Sequence, residues 1–396
     1  MHNLVVLGAT GTVGRNTLDV ARRHADKLTV IALTAHRDVE GLAVLCREFL
    51  PRVAVVADAA AAQALRERLS GMVIDIAHGA QALADAAGLP EAQQVMSAIV
   101  GAAGLVPTLA AVRAGKRVLI ANKEPLVMAG ALLMAEAQKS GAEIIPVDSE
   151  HNAIFQCLPH GARCGETARG VRRLVLTASG GPFREFTAEQ MARVTPAQAV
   201  KHPNWVMGPK ISVDSASLMN KGLELIEAHI LYRLPPQQLD VVIHPESIVH
   251  SLVEYVDGSL LAQLSSPDMR VPIAHALAHP QRWESGAAPL DLAALARLNF
   301  SAPDETRFPC LTLARQALAA GGNAPNVLNA ANEVAVEAFL AGRLGFGEIA
   351  QLIEHCLSAA EMPHARDLEA ILAVDGQARQ VAARRLQSSE RRVARV

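Results

Sequence analysis

The sequence predicts an α/β protein with a doubly wound parallel sheet at its N-terminal end, an α+β region after it and a helical region at its C-terminal end. Over residues 1–147, short apolar runs alternate with segments of helical periodicity, as in parallel sheets covered by helices on both faces. From about residue 151 the strands look antiparallel in part, and Asp257-Gly258 has the composition of a hairpin turn. Residues 305–396 are rich in Ala and Leu at helical spacing.

Each element is predicted from its local pattern of apolar and turn-forming residues. The predicted strands lie near residues 4–7, 29–33, 54–57, 73–76, 95–100, 117–120 and 143–147, and then near 174–177, 241–243, 248–255 and 259–263. The predicted helices include residues 12–24, 124–139, 310–320, 327–341 and 346–359. We expect regions at 1–150, 151–278, 279–304 and 305–396, of which the third has few periodic signals and looks like a linker.

The composition narrows the class of protein. Of the 396 residues, 51% are hydrophobic and 19% are charged, as in ordinary globular proteins, and a net charge of −2 provides no broad basic surface for nucleic acid or acidic lipid. Five cysteines without a Cys-x-x-Cys pair favour a reduced, cytoplasmic protein over a disulfide scaffold or a thiolate zinc site. The N-terminus lacks a signal-peptide pattern, and the uncharged stretch 92–112 is interpreted as a strand, a glycine turn and a helix start rather than a membrane span.

A glycine-rich loop follows the first predicted strand. Its sequence is Gly8-Ala-Thr-Gly-Thr-Val-Gly14, and it opens a predicted helix. Glycines allow backbone N–H groups to approach a pyrophosphate at the positive end of a helix, and Thr10 and Thr12 add hydroxyl donors. The spacing departs from Gly-x-Gly-x-x-Gly, so an ordinary strand–helix turn is the alternative. Given its context, we interpret the loop as a Rossmann-like dinucleotide site.

The end of the second strand indicates which dinucleotide binds. His36 and Arg37 stand where a cofactor with a free ribose 2′-hydroxyl usually meets an Asp or Glu. A basic pair suits a 2′-phosphate instead, so NADPH is favoured over NADH. The alternative is a solvated basic pair.

Acidic residues mark a second site. Asp148 and Glu150 follow a predicted strand, where an extended backbone would direct both side chains to one face. Two carboxylates ~4 Å apart repel by on the order of 4 kcal/mol, so a proton or a cation should offset them. Surface acids are the alternative for this segment alone, but Glu224 adds a third carboxylate. Oxygen ligands favour Mg²⁺ or Mn²⁺.

Anion-binding residues accompany the acids. Asn220, Lys221 and Glu224 share one face of a predicted helix, and with Ser215 they form a plausible phosphate cradle. Ser179-Gly-Gly is a second anion-binding turn. The loop 202–208, which contains His202 and Trp205, has proline and glycine at its ends, which suits a lid over a substrate. For His202 alone, a surface histidine with satisfied hydrogen bonds is the favoured alternative.

Taken together, these segments closely resemble the 1-deoxy-D-xylulose 5-phosphate reductoisomerase family, essentially from end to end. The resemblance is carried by Gly8-Ala-Thr-Gly-Thr-Val-Gly14, Ala121-Asn-Lys-Glu124, Pro146-Val-Asp-Ser-Glu-His-Asn-Ala-Ile-Phe155, Ala178-Ser-Gly-Gly-Pro-Phe183, His202-Pro-Asn-Trp205, Ser212-Val-Asp-Ser215 and Met219-Asn-Lys-Gly-Leu-Glu224. It implies an NADP-dependent oxidoreductase that rearranges 1-deoxy-D-xylulose 5-phosphate and reduces it to 2-C-methyl-D-erythritol 4-phosphate, in non-mevalonate isoprenoid synthesis. It also implies a homodimer.

The resemblance assigns roles to individual residues. The implied metal ligands, for Mg²⁺ or Mn²⁺ with Co²⁺ as a further possibility, are Asp148, Glu150 and Glu224. The implied catalytic residues are Lys123, Glu150 and His202. The implied substrate-binding residues are Lys123, Ser149, Glu150, Ser179, His202, Trp205, Ser215, Asn220, Lys221 and Glu224. The implied NADPH-binding residues are Thr10, Gly11, Thr12, Val13, His36, Arg37, Asp38, Asn122, Glu124 and Gly208. The region 1–150 would then bind NADPH, and 151–278 would carry catalysis, metal binding and dimerisation.

Some positions depart from the family pattern. His36 stands where Gly is common, Pro125 where Ser or Thr follows Asn-Lys-Glu, and Pro209 where a basic residue is commoner. These departures concern the ribose-phosphate contact and the stiffness of the loop. A plain NADP-dependent dehydrogenase without rearrangement, or a nucleotide-sensing protein without catalysis, would account for the first region but not for the acids and the phosphate cradle together.

Overall fold

The computed structural model describes residues 1–205, 207–359 and 365–393. Within these residues a seven-stranded parallel sheet is followed by a four-stranded mixed sheet and by C-terminal helices. The predicted fold class is therefore confirmed.

The first sheet contains the seven strands predicted in the N-terminal region. They are β1 (His2–Leu7), β2 (Leu28–Thr34), β3 (Val53–Val56), β4 (Asp75–His78), β5 (Gln94–Ser97), β6 (Arg117–Ile120) and β7 (Glu143–Pro146). Their order is β4-β3-β2-β1-β5-β6-β7, so the winding reverses at β1. In such sheets ligands bind at the carboxyl ends of the strands next to the reversal.

The strand register brings three sequence motifs to one edge of this sheet. Leu7 pairs with Ser97, Ser97 with Ile120 and Ile120 with Pro146. The residues that follow β1, β6 and β7 therefore emerge side by side. They carry the glycine loop, the Asn-Lys-Glu motif and the first predicted metal ligand.

The second sheet lies in the predicted α+β region. Its strands are β8 (Val171–Ala178), β9 (Leu239–Ile243), β10 (Val249–Tyr255) and β11 (Leu260–Leu264), in the order β11-β10-β8-β9. Strands β8 and β9 are parallel, whereas β10 pairs antiparallel with both β8 and β11. The hairpin predicted at Asp257-Gly258 joins β10 to β11, and Gly258 adopts the positive φ that such a turn requires.

Helices surround both sheets. Those of the first two regions are α1 (Thr12–Arg23), α2 (Val39–Phe49), α3 (Ala59–Arg68), α4 (Gly79–Ala87), α5 (Leu105–Arg113), α6 (Glu124–Ser140), α7 (Ser149–Cys157), α8 (Ala188–Met191), α9 (Pro196–Ala199), α10 (Pro209–Ala216), α11 (Met219–Tyr232) and α12 (Arg270–Ala278). The later ones are α13 (Leu292–Leu295), α14 (Pro309–Ala320), α15 (Ala324–Leu340), α16 (Glu348–Ala359) and α17 (Leu368–Val393). Short 3₁₀ helices lie at Ala102–Gly104 and Pro236–Gln238.

The C-terminal helices are packed onto the elements that carry the site. Helix α15 contacts α16 and α17, and it also contacts α6 and α10. Helix α14 packs against α11. Of the region 305–396 expected to be helical, residues 360–364 and 394–396 lie outside the described residues.

Two local expectations need correction or refinement. The segment from Asp148 to Glu150 was expected to be extended, and this is wrong: Asp148 is the N-cap of α7 and Glu150 lies in its first turn. Acidic side chains at these positions are stabilised by the unpaired N–H groups and the dipole of a helix start. The expected linker 279–304 contains α13, and its Ser301 bridges to Ile243 of β9.

The uncharged stretch 92–112 forms β5, a 3₁₀ turn and most of α5, as predicted. Among the described helices, none combines the length and the hydropathy needed to cross a bilayer.

Candidate active site

A cavity of about 500 Å³ lies between the carboxyl edge of the first sheet and the second sheet. Residues from both predicted sites line it. The predicted site residues in its wall are Gly11, Thr12, Val13, Lys123, Asp148, Ser149, Glu150, Ser179, His202, Trp205, Gly208, Ser215, Asn220 and Lys221. One cavity therefore joins the glycine loop to the acids and to the phosphate cradle.

The glycine loop depends on two glycines that no other residue could replace without strain. Gly8 has φ of +81°. A Cβ on Gly14 would lie 2.3 Å from the Gly8 carbonyl oxygen and 2.6 Å from Cα of Ala9. Only glycine lets α1 start this close to β1, which is the tight strand–helix packing of a dinucleotide-binding turn.

The three predicted metal ligands meet although they come from separate elements. Oxygen atoms of Asp148, Glu150 and Glu224 lie within 4.8 Å of one another. Asp148 and Glu150 are at the start of α7, and Glu224 is on α11 with no exposed surface. Three carboxylates at this separation form a hard oxygen donor set, which fits Mg²⁺ or Mn²⁺.

Two lysines balance part of the negative charge. Lys123 forms ion pairs with Asp148 and, at 3.6 Å, with Glu224. Lys221 bonds Glu150 Oε1 at 2.8 Å and also pairs with Glu224. When all three carboxylates are ionised, the two ammonium groups leave the cluster net negative, and a divalent cation would offset the remaining charge.

The carboxylates respond differently to these surroundings. Burial, together with the charge of Glu150, raises the pKa of Glu224 to about 7. Burial acts on Glu150 in the same direction, but Lys221 and Lys123 outweigh it and lower the pKa of Glu150. For Lys123, the neighbouring carboxylates outweigh burial and raise its pKa well above the ordinary value.

The residues of the predicted phosphate cradle, Ser179, Ser215, Asn220 and Lys221, all line the cavity. Ser179 follows β8, and the Gly181 N–H donates to Ser179 Oγ at 3.1 Å. Ser215 ends helix α10, while Asn220 and Lys221 are in the first turn of α11. Asn220 donates to Glu224 Oε1 at 2.5 Å, so it joins the cradle to the acid cluster. Hydroxyl, amide and ammonium donors in one place suit a phosphate group.

The imidazole of His202 is held in one tautomer. Its Nδ1 accepts hydrogen bonds from the backbone N–H groups of Asn204 at 3.2 Å and Trp205 at 3.0 Å. The ring proton must therefore be on Nε2, which lies 2.9 Å from Ser179 Oγ and donates to it. Burial lowers the pKa of His202 to about 4. At neutral pH this side chain is an uncharged donor.

The loop 202–208 is anchored at its start. Asn204 donates to the Pro245 carbonyl at 2.6 Å and to Ser247 Oγ at 2.8 Å. The Trp205 ring lies 6.2 Å from the ring of His250. Residue 206 lies outside the described residues.

The residues expected at the adenosine end of NADPH are at the carboxyl end of β2, away from this cavity wall. His36, Arg37 and Asp38 are exposed. Asp38 caps α2 by accepting from the Gly41 N–H at 2.9 Å, and the Thr10 carbonyl accepts from Arg15 Nε at 2.9 Å. Both His36 and Arg37 are thus available to a 2′-phosphate.

Asn122 and Glu124 are buried at the end of β6 rather than in the cavity wall. Asn122 Oδ1 accepts from Ser97 at 3.0 Å, and its buried Nδ2 has no hydrogen-bond partner among the described residues. Glu124 pairs with Lys210 at 2.9 Å. This unpaired donor lies against Gly104 of the 3₁₀ turn, so the structure does not bring it into the cavity.

Sequence reasoning missed several residues of the site. His250 and Ser247 line the cavity, and His250 Nε2 lies 2.9 Å from Ser265 Oγ. They belong to a strand and to the turn before it, so only tertiary structure could identify them. Lys210 also lines the cavity. Its i, i+4 spacing to Asp214 was a signal that the sequence did offer.

Three protein-family models match the chain. A model described as 1-deoxy-D-xylulose 5-phosphate reductoisomerase matches residues 4–130, and one for the C-terminal domain of the same enzyme matches residues 144–232. A third, described as the DXP reductoisomerase C-terminal domain, matches residues 264–381.

Relatives and solved structures agree with these matches. Curated proteins named 1-deoxy-D-xylulose 5-phosphate reductoisomerase include one from Ralstonia pickettii (strain 12J), 58% identical over 97% of each chain. Another, from Cellvibrio japonicus (strain Ueda107), is 57% identical over 96% of this chain and 97% of its own.

Among solved structures, a DOX-P reductoisomerase in complex with NADPH, fosmidomycin and magnesium superimposes with a TM-score of 0.94 at 46% identity, covering 98% of this chain and 99% of its own. The reductoisomerase of Zymomonas mobilis in complex with NADPH gives a TM-score of 0.90 at 48% identity, over 97% and 98% of the two chains.

Proposed function

The chain belongs to the 1-deoxy-D-xylulose 5-phosphate reductoisomerase family, and from that premise we propose how its residues convert 1-deoxy-D-xylulose 5-phosphate to 2-C-methyl-D-erythritol 4-phosphate with NADPH and a divalent metal ion. The observation that carries the proposal is the acid cluster of Asp148, Glu150 and Glu224, since Asp148 and Glu150 line the same cavity as the glycine loop and Glu224 lies against them. A plain dehydrogenase would need the glycine loop but neither the acids nor the phosphate cradle.

The metal ion would be held by Asp148, Glu150 and Glu224. When bound, it supplies a Lewis acid that polarises adjacent oxygens of the substrate. Asp148 and Glu150 line the cavity, and the fully buried Glu224 would complete the ligand set.

The phosphate would be bound by Ser179, Ser215, Asn220 and Lys221. Its binding energy, released far from the reacting carbons, orients the sugar backbone in the cavity. His202 would donate its Nε2 proton to the same end of the substrate. A substrate oxygen would then compete with Ser179 Oγ, which accepts that hydrogen bond in the structure. We also propose that Trp205 covers the substrate from the loop 202–208.

Lys123 and Ser149 would contact the oxygen-bearing carbons. Lys123 is cationic beside Asp148, so in this arrangement it donates hydrogen bonds rather than accepting a proton. Lys221 and Lys123 lower the pKa of Glu150, so Glu150 remains a carboxylate; it has a free lone pair for a proton, but the lowered pKa makes it a weak base. These roles do not distinguish a retro-aldol/aldol route from an α-ketol shift.

NADPH would bind along the carboxyl edge of the first sheet and supplies the hydride for the final reduction. Residues Thr10 to Val13 would hold its pyrophosphate, His36, Arg37 and Asp38 its ribose phosphate, and Asn122, Glu124 and Gly208 its nicotinamide half. Residues 1–150 would thus form the NADPH-binding domain and 151–278 the catalytic domain.

The enzyme would work in the cytoplasm as a homodimer. Strand β11 is at the edge of the second sheet, and its Leu260 and Leu261 are 54% and 47% exposed. An exposed apolar edge strand is suited to pairing with the same strand of a second copy. Light scattering should report a mass twice that of one chain. The substitution Leu261→Lys should shift the measured mass toward that of a single chain.

The test of the function combines purified protein, 1-deoxy-D-xylulose 5-phosphate and NADPH. NADPH absorbance should fall, the fall should stop on adding a chelator, and Mg²⁺ or Mn²⁺ in excess should restore it. Carbon NMR should show a branched product. An unbranched product would favour the plain dehydrogenase, and no NADPH oxidation would overturn the proposal.

A further inference from the structure

Lys210, at the start of α10 and 19% exposed, forms an ion-pair bridge between Glu124 of α6 and Asp214 of its own helix. Its Nζ lies 2.9 Å from Oε1 of Glu124, at the start of α6, and 2.8 Å from Oδ2 of Asp214 on α10. The side chain of Glu124 is 5% exposed and that of Asp214 only 1%. Lys210 itself reaches the cavity wall.

The two ends of this bridge adjoin the two halves of the cavity. Glu124 directly follows Asn122 and Lys123, at the edge where the cofactor would bind. Asp214 directly precedes Ser215 of the phosphate cradle. The bridge therefore ties the cofactor side of the cavity to the substrate side.

A third helix fixes the bridge in place. Asn332 of α15 donates to Asp214 Oδ1 at 2.8 Å, so both carboxylate oxygens of Asp214 are engaged. The carboxylate cannot rotate without breaking one of these bonds. Helix α15 thus holds the substrate side of the bridge from the C-terminal region.

Stability alone does not account for such an arrangement. Two buried carboxylates and a mostly buried ammonium group cost desolvation energy, and apolar residues of similar size often serve stability as well or better. Directional bonds between rigid helices do fix distance and angle, and a misplacement of ~1 Å in a reacting pair costs on the order of 10²-fold in rate.

We propose that Lys210 is a positioning residue, which through Glu124, Asp214 and Asn332 sets the separation between the nicotinamide and the substrate carbon that receives the hydride. The proposal rests on the proposed function. It predicts that breaking the bridge slows hydride transfer more than it weakens the binding of either ligand.

The experiment measures kcat, KM, the NADPH dissociation constant and the primary deuterium isotope effect with NADPH deuterated at the transferred position. The single variants are Lys210→Met, Asp214→Asn and Glu124→Gln. The double variant combines Lys210→Met with Glu124→Gln. Asp214→Asn is nearly isosteric and leaves Lys210 and Glu124 as a balanced pair, so it serves where Lys210→Met fails to fold. Lys139→Met, at an exposed position of α6, is the matched control.

We expect Lys210→Met to lower kcat on the order of 10²-fold and Asp214→Asn about 10-fold, with the isotope effect rising in both and the NADPH dissociation constant within about 5-fold of wild type. The double variant should be little slower than either single one, because the two residues act through one link. Lys139→Met should behave as wild type.

An unchanged isotope effect in folded variants, or additive losses in the double variant, would overturn the positioning role. That failure is distinct from failure of the proposed function, since the wild-type protein would then still oxidise NADPH with the sugar phosphate.

Discussion

The Nζ atom of Lys221 lies 2.8 Å from Oε1 of Glu150, so a residue assigned to the phosphate bonds a residue assigned to the metal ion. Lys221 also pairs with Glu224, and its side chain is 3% exposed. The phosphate cradle and the acid cluster are therefore one electrostatic unit. Binding at either part changes the charge that the other part experiences.

Lys221→Ala should raise KM for the sugar phosphate about 10- to 100-fold, since a charge-assisted hydrogen bond is worth roughly 1.5–3 kcal/mol. Steady-state kinetics at saturating NADPH measure this effect. Lys139→Ala is the control for loss of a lysine in a helix. An unchanged KM would show that Lys221 serves the carboxylates alone.

Glu224→Gln should keep NADPH binding but lower turnover on the order of 10²-fold or more, because an amide is a weaker ligand than a carboxylate for a hard cation. Isothermal titration with Mn²⁺ and assays at rising metal concentration separate weakened metal binding from lost chemistry. Near-normal turnover with the metal bound would exclude Glu224 as an essential ligand.

Arg37→Ala should reduce the preference for NADPH over NADH about 10-fold or more, since it removes a charged partner of the 2′-phosphate. The measurement is kcat/KM with each cofactor. Arg172→Ala, on β8 of the other sheet, is the matched control. A preference as strong as in the wild type would assign 2′-phosphate recognition elsewhere.

The side chain of His202 should stay neutral, with its proton on Nε2, until the pH falls to about 4, because burial disfavours the charged ring. In the unfolded chain this histidine would protonate near pH ~6.5, so its contribution to stability is complete above that pH and is lost as the pH falls toward the folded-state pKa. Imidazole ¹⁵N NMR can follow the titration. A midpoint near 6.5 would contradict the argument that burial lowers the pKa of His202. The variant Ser179→Ala removes the acceptor of the Nε2 hydrogen bond and so tests that contact.

Gly14→Ala should lower the free energy of unfolding by about 1–3 kcal/mol and weaken NADPH binding, since the added methyl group would meet the Gly8 carbonyl at 2.3 Å. Thermal melting and NADPH fluorescence measure the two effects. Gly376→Ala in α17, where an added Cβ meets nothing within 4 Å, should instead be neutral or stabilising. Wild-type stability and affinity in Gly14→Ala would show that the loop can shift without cost.

Much of the fold could be predicted because its signals are local. Most strands of the first sheet contain continuous apolar runs, the edge strand β4 (Asp75–His78) begins two residues later than predicted, and the Asp257-Gly258 turn identifies its own hairpin. The carboxyl ends of parallel strands share one edge, so the glycine loop and Asp148 could be placed near each other before the structure was known.

The local sequence pattern gave the wrong conformation where a segment could be either an extension of a strand or the start of a helix. Asp148 and Glu150 were expected to face one way because they alternate in a strand, whereas they meet because α7 starts at Ser149. The conclusion that they share a site was right, but the geometric reason was wrong. An Asp that follows a strand, such as Asp148, is compatible both with a continued extended segment and with the N-cap of a helix, and tertiary packing decides between the two.

By itself, the sequence determined the fold class and the family and predicted the groups proposed to do chemistry, since these depend on short motifs and on periodicity. Only the tertiary structure decided which charges meet: that Lys221 bonds Glu150, that His202 donates to Ser179, and that Lys210 bridges Glu124 and Asp214. Such pairings join residues that are far apart along the chain. They depend on how helices pack around the cavity, and no spacing along a single segment encodes that.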